Sequence, residues 1–500
     1  TGGVFKMRNL LRKIFLICTI IILSIPVCMS AEAPYQGYVY NAWGESVPSP
    51  NSYLPEWSKN GEDLGVGLFK EPQDLFIDAH KNIYILDSGN NRIVILDENF
   101  QKKNIIDQFY SETGPEKVNQ PTGIFVTPEQ MIYLADGKNG RVIKVDITGK
   151  VLKEYGRPDS ELIPAHLEYT PRKVAVDSSG TIYTIVKGLY YGAVMYDQKG
   201  EFLGYYGTNR VTTTLQLLQD FFWKKIMTKT QRDKMARYVP IEFINFTIDE
   251  KDFVYTCTQS TSTTGSIKKY NPMGINILRE RNGLLANYGD FEIEFYEEHG
   301  KRYQTQFIDI NVDDNGFINC LDYTFGRIFQ YNQDSELLAI FGGTGSQIGT
   351  FKTPVAIESI NNKILILDAG KNNITLFGLS EFGSAVHKAV KLYENGLYEE
   401  SVEPWKEVLK RNINYELAYI GIAQAMMRVG NLEEAMKYYK LGYDREGYSK
   451  AYKEHRTEVL RNKFSLVMFI IVILLLLIQA LLKKDELLVK FGRKRSIYGE

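Results

Sequence analysis

Three Asp/Arg pairs recur at one spacing: Asp87 with Arg92, Asp136 with Arg141, and Asp322 with Arg327. A carboxylate and a guanidinium placed across a tight turn can cap that turn as a salt bridge, or contribute to a polar ligand or metal site. Recurrence at the same place in each unit favours the structural role, because a site breaks a repeat instead of following it. Other chemistry-bearing residues are scattered. His80 falls in a strand-connecting turn, His166 and His299 in connecting segments, and His387 and His455 in the C-terminal part. That distribution is unsuited to a multi-histidine zinc site, and the reading is no metal and no cofactor. Cys18 and Cys28 lie in or beside an N-terminal apolar run, which leaves Cys257 and Cys320 without a disulfide framework or zinc spacing. Aligned on the repeat, these two fall on opposite faces of their strands, which argues against a pair. No G-x-S-x-G nucleophile motif occurs, so no catalytic residue is assigned.

The elements that carry the pairs are repeats. PQDLFIDAHKNIYILDSGNNRIVILDENFQ from Pro72 matches PTGIFVTPEQMIYLADGKNGRVIKVDITGK from Pro121, and a third copy begins at Pro171. Looser copies start at Pro240, Phe307 and Pro354. Each copy alternates apolar and polar residues with period two and breaks at turns rich in Asp, Asn and Gly. A fourth strand fits between copies, as in Lys150 to Gly156. Four-stranded units of this length are propeller blades, so six copies predict six blades. The sixth copy runs into helix soon after Phe377 and lacks a fourth strand. The segment Tyr35 to Trp43 is expected to supply it and close the ring.

LDSGNNRIVILD (Leu86 to Asp97) and LADGKNGRVIKVD (Leu134 to Asp146) resemble NHL repeats: an Asp, a short polar turn, then Arg and an apolar residue. The fifth copy keeps Asp322 and Arg327; the sixth has Asp368 but Asn373. The third and fourth replace the Asp with Val186 and Thr258. The resemblance covers about residues 66–380 and implies a six-bladed propeller. Such propellers include metal-dependent lactone hydrolases and amide lyases. A calcium-dependent hydrolase or lyase is therefore the alternative function, with oxygen ligands drawn from the Asp- and Asn-rich turns.

From Ser384 the period becomes helical. Gly396 and Gly430, and likewise Trp405 and Tyr439, are 34 residues apart, which resembles tetratricopeptide repeats. This segment reads either as a groove for a peptide or as a spacer. Two insertions interrupt the blades. Thr212 to Val239 places Phe221, Phe222 and Trp223 beside Lys224 and Lys225, a mix suited to partner contact. The second runs from Glu280 to Gln306.

Arg8, Arg12 and Lys13 precede an apolar run from Ile14 to Val27, followed by the small residues Ser30 and Ala31, the layout of a signal peptide. Phe464 to Leu482 is uncharged and long enough to span a bilayer. The formal net charge of −1 gives no field to recruit nucleic acid. The sequence thus predicts a mainly β chain: a signal peptide at 7–31, an NHL-like six-bladed propeller at 35–380 and TPR-like α-helical repeats at 384–463. A transmembrane helix at 464–482 and a cytoplasmic tail at 483–500 complete it. The expected function is a single-pass, cell-membrane, extracytoplasmic binding or scaffold protein with a protein partner in the membrane or envelope, rather than an enzyme.

Overall fold

The computed structural model describes residues 33–164, 166–207, 242–258, 265–278, 287–290, 294–296 and 301–497. The expected signal peptide and the first insertion lie outside these residues. The chain divides after Pro34, and the unit from Tyr35 onward holds both the strands and the C-terminal helices.

Period-two alternation makes strands, and here both strand faces are apolar because each blade packs between two others. In blade one the second strand is Ile83–Asp87, and every residue is buried. Ile83 and Ile85 join a core shared with Leu365 and Leu367 of blade six. Tyr84 and Leu86, on the other face, join a core shared with Ile124 and Leu134 of blade two. Burying an Ile or Leu side chain contributes about 1.5–3 kcal/mol, so the stacks between blades carry most of the stability.

Six blades result. Their innermost strands are Asp74–Ile77, Gly123–Val126, Pro171–Val176, Phe243–Ile248, Phe307–Val312 and Pro354–Ile360. Each pairs antiparallel with its successor in the chain, as in Asp74 with Leu86 and Gly123 with Ala135. Neighbouring innermost strands touch all the way round, including the last against the first.

An N-terminal strand closes the ring, but it is Tyr53–Asn60 and not the expected Tyr35 to Trp43. It pairs along the third strand of blade six, from Tyr53 opposite Leu379 to Asn60 opposite Asn373. Tyr38–Tyr40 instead forms a hairpin with Ser46–Pro48 and meets the outer strand of blade five at Ile340. Length and burial explain the difference. Eight residues match the seven of Asn373–Leu379, whereas the earlier strand has three. Tyr53 is also buried, stacked on Phe341 at 4.7 Å, and its hydroxyl accepts from Gln330 Nε2 at 3.1 Å.

The C-terminal region is helical: α1 (Glu381–Glu394), α2 (Tyr398–Arg411), α3 (Glu416–Arg428), α4 (Leu432–Leu441) and α5 (Arg445–Ile497). The Ser380 hydroxyl caps α1 by accepting from Gly383 N at 3.0 Å. The first three helices share one apolar core with Phe317 and Leu338 of blade five. Tyr415 donates its hydroxyl hydrogen to Leu338 O at 2.7 Å, and Lys391 donates to Asn315 O at 3.0 Å. The region is therefore docked on the propeller. Within α5, the apolar stretch is exposed and is long and apolar enough to cross a membrane.

At the dock, His387 Nε2 lies 2.7 Å from Gln330 Oε1, with the ring against Phe317 and Tyr53. Burial lowers the imidazole pKa from 6.5 to about 3. The folded state thus favours neutral His387, so its contribution is present above pH 6.5 and is lost as pH falls from 6.5 towards 3.

A chain shortened to begin at Gly61 should lose cooperative unfolding, because blades six and one would keep an open edge. An unchanged thermal transition would refute closure by Tyr53–Asn60. Acidification from pH 7 to 5 should cost about 2 kcal/mol through His387 alone. The check is the difference in urea midpoint between wild type and His387→Gln at the two pH values: the gap should narrow at pH 5.

Candidate functional site

The repeated pairs serve the scaffold. Asp87, at the end of the second strand of blade one, accepts from Arg92 Nε at 2.7 Å, from Asn90 Nδ2 at 2.8 Å and from Lys70 N at 2.7 Å. Asp136 repeats this with Arg141 Nε, Asn139 Nδ2 and Asn119 N. Each carboxylate thereby ties down the connection that enters its own blade. Asn91 and Gly140 complete the turns in the left-handed region, at φ 51° and 66°. The Asn three residues after each Asp is as much a part of the motif as the Arg, and its recurrence in both copies is the sequence signal for it. The third pair differs. Asp322 accepts backbone N–H bonds from Gln306, Thr324 and Phe325. Arg327 turns to Asp290, with Nη1 2.5 Å from Oδ2. Asp290 belongs to the second insertion and also accepts from the Tyr38 and Tyr40 hydroxyls. That part of the insertion fastens the N-terminal hairpin to blade five.

The Asp and Asn residues of the other turns are also occupied. Asp97 Oδ1 accepts from the backbone N–H groups of Asn99 and Gln101, and Asp146, Asp197 and Asn332 act alike. These are turn caps.

What remains is the channel. One position of each innermost strand pairs with the residue just before the end of the second strand. It is Asp74, Gly123, Lys173, Asn245, Asp309 and Ala356 in blades one to six. Closing the ring brings these six together. Lys173 Nζ lies 2.6 Å from Asp74 Oδ1, and Asn245 Nδ2 donates to Asp309. One layer further in, Glu358 accepts from Asn311 Nδ2 at 2.7 Å. Burial opposes charge on Lys173, but Asp74, Asp309 and Glu358 outweigh it and hold the ammonium above the ordinary lysine value. Burial pushes Asp309 up to about 7, and burial followed by the Asp309 carboxylate raises Glu358 well above the carboxylate range. A lysine ammonium thus neutralises the acidic layer from within. Among the described residues no three His, Cys, Asp or Glu side chains are grouped to hold a metal ion. In this layer the cation among the carboxylates is Lys173.

Above this layer a cavity of about 280 Å³ opens, lined from all six blades. The residue preceding each layer position lines it: Gln73, Thr122 and Arg172 from blades one to three, then Ile244, Ile308 and Val355 from blades four to six. Gln306 and Tyr323 of blade five complete the rim. The mouth lies where innermost strands begin, the face that also carries the Asp turns. The outer strand of blade three ends on this face at Tyr206. Phe221, Phe222, Trp223, Lys224 and Lys225 themselves lie outside the described residues. The opposite face receives the helices: Asn315 and Phe317, which meet α1, come just after the far end of the blade-five innermost strand.

Cys257 and Cys320 are unbonded and buried in one shared core. They do sit on opposite strand faces, but those faces meet between blades four and five.

Replacing Lys173 with Met should cost about 3–5 kcal/mol, since Asp74 is left buried without a counter-charge. Adding Asp74→Asn should recover much of the loss in urea titrations. Full stability of the single variant would show that the ion pair is dispensable.

No protein-family model and no curated relative matches the chain. Solved structures with similar folds include the virginiamycin B lyase of Staphylococcus aureus, at 10% identity and TM-score 0.39, covering 66% of this chain and 100% of that one. A gluconolactonase of Xanthomonas campestris matches at 11% identity and TM-score 0.37, covering 70% and 96%. The extracellular domain of a putative hybrid two component system from B. thetaiotaomicron matches at 11% identity and TM-score 0.35, covering 68% and 39%. Likeness at this level carries no statement about activity.

Proposed function

We propose that this chain is a membrane-anchored, extracytoplasmic binding module that offers its channel mouth to a partner on the side away from its anchor. The observation that carries the reading is the placement of the two ends of the disc. The cavity opens on one face, and the helical region leading to the apolar stretch of α5 docks on the other. An anchor on the far face leaves the mouth unobstructed by the helices. Between Arg445 and the apolar stretch, α5 supplies a stalk of roughly 30 Å at helical rise. Tethering holds the mouth near any partner in the same envelope and raises its effective concentration.

Local features support the finer family readings. The Asp–Asn–Arg turns of blades one and two fit an NHL-like propeller. Gly396 and Gly430, at φ 80° and 85°, sit in the turns after α1 and α3, as a tetratricopeptide-like repeat requires. The packing of α1 to α3 against blade five favours a rigid adaptor over a free spacer.

Protease added to intact spheroplasts should remove the propeller and leave a fragment containing Phe464 to Glu500. A photo-crosslinking residue at Tyr323, on the mouth, should then give a defined adduct in membranes, and one at Ile147, on a turn of the opposite face, should not. Full protease protection would overturn the topology, and equal adducts from both faces would overturn the use of the mouth.

A further inference from the structure

We infer that the channel mouth takes a small organic acid, its carboxylate held by Arg172 and its aliphatic body lying against Ile244 and Ile308. This deepens the binding-module reading and rests on it.

The repeat breaks at the mouth. One position, equivalent in all six blades, is polar in the first three and aliphatic in the last three. The aliphatic residues of this position also pack against the cores between blades, and Thr122 donates to Pro171 O of the next blade at 3.1 Å, but all six line the cavity. A cavity divided into a polar half and an apolar half matches a ligand divided in the same way.

Arg172 then sets the charge. Arg172 lines the cavity, and its guanidinium has no hydrogen bond or ion pair among the described residues. Arg92, Arg141 and Arg327 are all engaged with carboxylates. A guanidinium offers five donors in a planar fork, which fits a carboxylate in a bidentate pair. Lys173 beside it does not compete, since Asp74 holds its ammonium at 2.6 Å. Among the described residues no carboxylate side chain lines the cavity, and the acidic residues lie one layer deeper around Lys173. An anion at the mouth therefore meets a positive charge that no described carboxylate compensates. The Tyr323 hydroxyl, also without a partner among the described residues, adds a further donor at the rim. A volume of about 280 Å³ is at the small end for ligand cavities and admits a body the size of one acylated amino acid.

The test uses the full chain in detergent micelles and titration calorimetry with three probes: N-acetyl-L-leucine, its neutral amide N-acetyl-L-leucinamide, and inorganic phosphate. The acid should bind at least about tenfold more tightly than the amide, the worth of one charge-assisted contact. Phosphate, lacking an aliphatic body, should bind more weakly than the acid. Arg172→Gln should abolish the preference for acid over amide with an unchanged melting temperature, because the Arg172 guanidinium makes no hydrogen bond or ion pair among the described residues. Ile308→Ala should weaken both leucine probes and leave phosphate unaffected. Equal binding of acid and amide, phosphate binding as tight as the acid, or no acid binding at millimolar concentration would each overturn the inference. If the Tyr323 crosslink persists in any of these cases, the ligand class fails and the binding module stands. If the crosslink is absent as well, both fail.

Discussion

The pairing of Tyr53–Asn60 with Asn373–Leu379 is the constraint on which the rest depends. Every other described blade is built from one continuous stretch of chain, apart from the hairpin added to blade five. Blade six is not, and its outer strand is carried in from the other end of the propeller. Without that strand the third strand of blade six would present a row of unsatisfied backbone groups, and the disc would be free to open between blades six and one. The seam also reaches outward. Tyr53, at its end, touches Gln330 and Phe341 of blade five and the ring of His387 on α1. Ser380, next to the seam, starts α1 and donates its backbone N–H to Ser52 O at 2.9 Å. Closure of the ring and docking of the helices are thus one continuous piece of packing.

Closure also creates the channel chemistry. Viewed along the chain, Asp74, Lys173 and Asp309 are polar residues near the start of three separate strands, with nothing to link them. Only a closed ring places them in one layer, where burial and mutual charge set their protonation. Burying an ionised group is costly unless it is paired, and Lys173 pairs with Asp74 while burial favours the neutral forms of Asp309 and Glu358. The layer above has no such compensation. Arg172 stands in a half-polar wall with its donors unused by the described protein groups, and this gives the mouth a chemical preference that the scaffold below it lacks.

Strand parity separates that mouth from the anchor. Each innermost strand begins on the mouth face, and with antiparallel pairing the third strand of blade six ends on the far face. The chain therefore passes into α1 on the side away from the cavity. No special feature is needed to keep the helical region clear of the mouth, since three strands after the mouth face always deliver the chain to the opposite one.

Local periodicity was enough to determine much of this from sequence. The period-two copies, the Asp-rich turns, the number of blades and the switch to helix at the C-terminus all depend on neighbours within a few residues. The structural role of Asp87 with Arg92 and Asp136 with Arg141 was legible for the same reason, since both partners flank one turn. Contacts made around or across the ring were decided only by tertiary structure. Tyr35 to Trp43 and Tyr53–Asn60 both read as strands, and the choice between them rests on the fit of eight residues to a strand more than three hundred residues away. Arg327 left Asp322 for Asp290, which an insertion brought within reach. Cys257 and Cys320, on opposite strand faces, share a core because adjacent blades present opposite faces to each other. The channel cavity belongs to this second class: six equivalent residues, each unremarkable in its own blade, become a divided, charged mouth only when the ring is closed.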